Sequence, residues 1–199
     1  MYLKGSAVLL GLVMLTFFAL ALPTASTSAN DESEFKPFVL GAGEGESIAF
    51  PPHPTFRLAD PGSNIAGMSF FEIVIDANSA GAPPHTHAHE DEFFYVREGT
   101  VTFMANGDRK TIGPGGFVML PRHSLHAVWN ASKTNAILLV GTSQGRFGDF
   151  FDAVAIEVRA QDAKTPQQVG AIIDRLGSER GVVVDMSKVP PDVAALYGL

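Results

Sequence analysis

Three of the six histidines fall within five residues, in Pro83-Pro84-His85-Thr86-His87-Ala88-His89-Glu90-Asp91-Glu92. Side chains two apart on a strand point to the same side, so His85 and His87 can turn both imidazoles toward one metal ion. His89 keeps that parity only if the strand runs on, and the acidic Glu90-Asp91-Glu92 run argues for a turn there instead. Glu92 then opens an apolar stretch in which alternation puts it on one face with Phe94 and Val96. A carboxylate carried into such an interior either meets a cation or gives up its charge. A divalent ion shared with the two imidazoles would satisfy it. The competing reading is a charged, histidine-rich loop in solvent. A second element further along the chain weighs against that loop: Gly115, Pro121, His126 and Asn130. His126 stands among apolar neighbours, where a hairpin return can bring it beside His85 and His87.

Composition narrows the chemistry. The chain of 199 residues has no cysteine, which excludes a disulfide scaffold, a thiolate metal site, an iron–sulfur cluster and a cysteine nucleophile. A transition metal would have to be held by His, Asp or Glu. Hydrophobic residues make up 46% and charged residues 18%, the balance of a chain that folds around a core. Acidic residues outnumber basic ones 21 to 14, so nothing favours nucleic acid or an anionic membrane as a partner. Ser124 lies close to His123 and His126, but no nucleophile-elbow pattern surrounds it.

The elements that must position these residues read as short strands between Phe35 and Val140. Strand-like segments at Phe38–Leu40, Thr55–Leu58, Met68–Ile75, Glu92–Val96, Thr100–Met104, Arg109–Ile112, Phe117–Leu120, His126–Trp129 and Ala136–Val140 are separated by turn clusters. Ser79–Pro84 reads as a turn, and Asn106-Gly107 as a hairpin, because both residues accept positive φ. On Met68–Ile75, Phe71, Ile73 and Ile75 form one face, and Glu72 on the other is expected to face solvent. The fold class expected is all-β, a sandwich or barrel. After Gly141 the pattern becomes helical. Phe147, Phe150, Phe151 and Val154 make one apolar helix face. Thr165-Pro166-Gln167-Gln168 forms a capping box ahead of the stripe Val169, Ile172, Ile173 and Leu176, with Gly177 as the stop. Both helices are expected on the outside of the barrel.

The two histidine segments resemble the metal-binding motifs of the cupin family. The first motif is glycine, His-x-His, three or four residues, Glu, six residues, Gly. Here His85-x-His87, four residues, Glu92, six residues and Gly99 fit, with the leading glycine displaced to Gly81. The second is matched by Gly115, Pro121, His126 and Asn130, while His123 stands where glycine is usual. Histidine tolerates positive φ better than most residues, so His123 is read as a loop residue, with a fourth imidazole near the pocket mouth as the other option. The resemblance implies a cupin jelly-roll β-barrel over residues 35–142, a helical extension over 143–199, and His85, His87, Glu92 and His126 as ligands. The ion would be a divalent Fe, Mn, Ni, Co or Cu.

The wider run is similar to single-domain quercetin 2,3-dioxygenase-like cupins, in Asp91–Gly99, in Phe117–Arg122 and in the Gly145–Phe151 pattern. That implies a dioxygenase acting on a flavonol or other enolisable aromatic molecule, with Glu92 as ligand and catalytic base and dioxygen as co-substrate. Two other readings stay open. One is a non-redox isomerase, cyclase or lyase built on the same ligands; the other is a small-molecule-binding cupin without catalysis. An oxalate-degrading, germin-like reading lacks the usual amino-terminal cysteine pair. By analogy a homodimer through sheet edges is expected.

The first 29 residues read as a secretory signal: Lys4, an apolar run from Gly5 to Leu22, then small residues suited to cleavage between Ala21 and Ala29. An uncleaved anchor is the alternative. The expected location is secreted, without stable membrane association after cleavage. Asn130-Ala131-Ser132 is a glycosylation sequon, but the resemblance sets Asn130 at a strand end, a poor place for a glycan.

Overall fold

The computed structural model describes residues 35–143 and 147–199. The expected signal segment and Gly145 lie outside the described residues. Among the described residues twelve strands form two antiparallel sheets: β1 (Glu46–Ile48), β2 (Thr55–Ala59), β3 (Ser69–Ile75), β4 (Ser79–Ala80), β5 (His85–His87), β6 (Glu92–Glu98), β7 (Val101–Ala105), β8 (Asp108–Ile112), β9 (Phe117–Leu120), β10 (His126–Asn130), β11 (Ala136–Thr142) and β12 (Val182–Val184). The first sheet runs β1-β2-β3-β11-β6-β9, and the second β12-β5-β10-β7-β8 with β4 beside β10. The helices are α1 (Phe150–Ala160) and α2 (Pro166–Ser178).

Alternation builds the core. Phe71 and Ile75 of β3, Phe94 and Val96 of β6, Leu138 and Val140 of β11 point inward from the first sheet. They meet Val101, Phe103 and Val128 of the second sheet in one cluster. Glu72 faces outward, where it pairs with Arg97. At the β7–β8 hairpin both Asn106 (φ 49°) and Gly107 (φ 96°) are left-handed, as a two-residue turn of matching twist requires.

Four expectations are corrected. Phe38–Leu40 forms no strand, and Val39 is 92% exposed; an apolar triplet without a pairing neighbour has nothing to bury against. The Ser79–Pro84 segment is more than a turn, because Ser79 and Ala80 pair with Asn130 and Trp129. Gly177 does not end α2. It sits buried in the last turn, and the left-handed residue comes later, at Gly181 (φ 81°). The tail is neither purely helical nor confined to the exterior. Phe147, Phe150 and Phe151 join the barrel core, and β12 completes the edge of the second sheet.

The capping box at Thr165 and Gln168 forms as expected. The outer face of β10 and β7 is also covered: Met104, Ala127 and Trp129 pack against Val189 and Val193 of the final segment. Arg109 stacks over Trp129 and forms an ion pair with Asp192, holding that segment down.

Candidate metal centre

His85 and His126 are direct cross-strand partners on β5 and β10. His87 follows on the same face of β5, and Glu92 starts β6 opposite Thr142 and Leu120. These pairings bring one donor atom from each of His85, His87, Glu92 and His126 within 4.8 Å of the others, and all four side chains are buried. The loop between Leu120 and His126 is tied to the first motif. His123, at φ 66°, donates its backbone N–H to the His87 carbonyl over 2.8 Å. Arg122 donates its backbone N–H and guanidinium to Asp91, which holds that carboxyl below its ordinary value.

Each imidazole turns Nδ1 away from the centre. His85 Nδ1 donates to the Pro83 carbonyl at 2.7 Å and His126 Nδ1 to the Ser124 carbonyl at 2.9 Å. A carbonyl oxygen only accepts, so Nδ1 carries the proton and Nε2 its lone pair. His87 Nδ1 lies 3.5 Å from Glu90 Oε2. The Nε2 atoms then crowd together: His85 to His87 at 3.1 Å, His126 to Glu92 Oε2 at 2.9 Å, His87 to Glu92 Oε2 at 3.5 Å. Lone pairs this close repel unless a cation lies among them. The spacings suit donors that share one ion at bond lengths of about 2.0–2.2 Å. The residues present therefore fit a divalent metal.

The electrostatics point the same way. Burial, reinforced by His126, pushes His85 down to about 3. Burial also opposes charge on His87, but Glu90 and Glu92 outweigh it and raise this imidazole to about 9. Burial works to raise Glu92, yet His126 and His87 hold its carboxyl below the ordinary range. In the absence of metal, a proton on His87 is the cation the cluster retains.

All four expected ligands converge. Asn130 is fully buried, and its amide donates to the carbonyls of Ile75 and Thr134, so the sequon is closed to glycan attachment. His89 is exposed in a bend, and β5 ends before it. His123 is exposed too and lines no part of the cavity beside the centre. The sequence reading missed Glu90. It belonged to a stretch read as a turn, but its side chain is 1% exposed; among the described residues its carboxylate makes no hydrogen bond, and it lies 3.5 Å from His87 Nδ1. The one signal in the text was an acid three residues beyond a histidine ligand. Phe147 was expected on a helix face; its ring instead packs edge-on against the His87 imidazole, 5.0 Å between centroids.

A cavity of about 150 Å3 adjoins the centre, with His85 and Glu92 in its lining. The rest of the wall is mostly apolar, from Ile73, Phe94 and Val140 on strands and from Phe50, Phe150 and Phe151 beyond them in the chain connections and tail.

Residues 71–141 match the family model of the cupin domain, so the strands that carry the centre form a cupin barrel. A germin-like protein (subfamily 1 member 7) of Arabidopsis thaliana is 32% identical over 104 residues, 48% of this chain and 45% of its own. The L-ectoine synthase of Mycobacteroides abscessus is 38% identical over 73 residues, 35% of this chain and 54% of its own. The chain thus spans about half the length of the curated relatives it matches. Among solved structures, a Cupin 2 conserved barrel domain protein from Salinispora arenicola superposes with a TM-score of 0.46 at 18% identity, over 59% of this chain and 98% of its own.

Proposed function

We propose that this cupin is a metal-dependent dioxygenase acting on an enolisable aromatic small molecule. The observation that carries the reading is the orientation of the imidazoles: His85 and His126 commit Nδ1 to backbone carbonyls, His87 turns Nδ1 toward Glu90, and the three Nε2 atoms converge beside a mostly apolar cavity. A divalent ion held by His85, His87, Glu92 and His126 would supply Lewis acidity toward a substrate oxygen and redox access to dioxygen. The protein's own part is proton handling and exclusion of water. Among the described residues Glu92 is the only carboxylate in the cavity lining, so it is the group placed to take the hydroxyl proton of a bound enol. Phe94, Phe150 and Phe151 keep the reacting oxygen away from solvent. Both atoms of dioxygen would enter the products. Export follows as part of the proposal, supported by the apolar run from Gly5 to Leu22 and the small residues after it.

Likeness to an L-ectoine synthase favours a second reading, in which the ion acts only as a Lewis acid in an isomerisation or cyclisation. Elemental analysis followed by an oxygen-electrode assay with flavonols and catechols separates the two. The expected result is stoichiometric bound metal and oxygen uptake that His126→Ala abolishes. Substrate turnover without oxygen consumption would overturn the dioxygenase reading in favour of the second.

A further inference from the structure

The cavity's charge and size say what it can admit. Among the described residues, no Lys or Arg lines it. Apart from the ligands His85 and Glu92, the one side chain with ring nitrogens in the wall is His53. Its Nε2 donates to the Ala80 carbonyl at 2.6 Å, bridging the β1–β2 connection to β4. Burial keeps this imidazole below its ordinary value and therefore neutral. Away from the metal ligands, a phosphate, carboxylate or sulfonate group on the substrate would lose its water and find no cationic side chain. The volume, about 150 Å3, is below the usual range of about 300–1,000 Å3 for ligand pockets. An apolar cavity of about 150 Å3 holds one benzene ring.

Part of the wall comes from outside the matched cupin segment, which ends at residue 141. Phe147 stacks on Phe150, and Phe151 meets both edge-on, with centroids 5.1–5.6 Å apart. Phe151 also meets Phe71 of β3 and Phe50, each at 4.7 Å. Phe147 touches the ligand His87. The aromatic group thus spans from the inner face of the first sheet to the metal centre, and it closes the cavity on that side.

We propose that the site takes a substrate of one six-membered ring without anionic substituents, and that Phe147, Phe150 and Phe151 of the tail set that limit. This rests on the metal-centre reading of the preceding section. It replaces the three-ring flavonol among the expected substrates with single-ring hydroxyarenes.

The test uses the whole chain loaded with cobalt(II) under argon, with the cobalt visible spectrum as readout. Three probes carry the same chelating hydroxyl pair: catechol, catechol sulfonate and the naphthalene analogue of catechol. Catechol is expected to perturb the spectrum, and the sulfonate to bind weaker by roughly tenfold or more for want of a counter-charge. The naphthalene analogue is expected to be excluded by the native chain and admitted by Phe150→Ala or the milder Phe151→Leu, at unchanged cobalt content. Ile73→Phe, which fills the cavity from β3, is expected to lose catechol binding and keep cobalt. Equal binding of the sulfonate, or binding of the naphthalene analogue by the native chain, overturns the proposal. So does cobalt retention with no catechol binding. Failure to bind cobalt at all overturns the metal centre itself, and the proposal with it.

Discussion

Glu90 is the residue whose environment is hardest to explain without a metal centre. A carboxylate almost wholly removed from water needs a partner; among the described residues its oxygens make no hydrogen bond, and His87 Nδ1 lies 3.5 Å away. The other two imidazoles are oriented by neutral carbonyls, so His87 alone has an anion behind it. An anionic acceptor at Nδ1 fixes the tautomer and makes Nε2 a stronger donor. Glu90→Gln keeps the shape and an acceptor oxygen but removes the charge. It is expected to weaken metal binding about 10- to 100-fold, as second-shell partners of ligating histidines do. Chelator competition measures this directly. His89→Ala, one residue away and exposed, is expected to leave the affinity unchanged. Glu90→Gln at native affinity would reduce the pair to a packing contact.

At the scale of elements, turns hold the strands in the register that the centre needs. Gly99 joins β6 to β7 at φ 73°, and a Cβ there would lie 2.4 Å from the Asn135 carbonyl oxygen and 2.7 Å from the Ala136 Cα. Gly107, at φ 96° in the β7–β8 hairpin, has open space around its missing Cβ. Gly107→Ala is expected to cost only the left-handed strain, about 1–2 kcal/mol. Gly99→Ala must also displace backbone of β11, so its loss of thermal stability is expected to be clearly the larger of the two in calorimetry. Equal losses would mean that the β6–β7 turn can move without disturbing the sheet. The edge strand β12 matters for a related reason. It pairs Val182 with His87 and Val184 with His85, so the tail sheathes the strand that carries two ligands. It also spares β5 an open edge.

For the whole molecule, the histidines give stability a defined pH profile when metal is removed. Burial holds His53 and His85 below their ordinary value of 6.5, so the unfolded chain takes up protons that the folded one refuses. Stability therefore falls as pH drops below 6.5, and for His85 the loss continues toward about 3. His87 has the opposite sign. Raised to about 9 by Glu90 and Glu92 against the effect of burial, it contributes stability that is complete below 6.5 and lost as pH climbs to about 9. Melting temperatures of the metal-free protein are expected to peak near the ordinary histidine value and to decline on both sides. A profile flat from neutral to alkaline pH would remove the His87–Glu90–Glu92 coupling from the account.

What the amino-acid text determined by itself was whatever depends on near neighbours. Period-two alternation located β2, β3, β6, β7, β10 and β11 to within a few residues, because a strand's two faces are written locally. The Asn106-Gly107 turn and the Thr165 capping box were legible for the same reason. Parity on a strand put His85 and His87 on one side, and the resemblance to the cupin motifs added Glu92 and His126; the four side chains do converge. Tertiary structure alone decided the rest. Phe38–Leu40 is apolar in the text yet exposed, because no strand pairs with it. Val182–Val184 is too short to declare itself and becomes a strand only where β5 offers an unpaired edge. Glu90 looked solvated until the fold set it behind His87. Phe147 acquired its place against the same imidazole when the chain returned across the barrel. Backbone pairing and side-chain burial across such sequence distances depend on where the chain comes back, and residue spacing along the chain does not encode that.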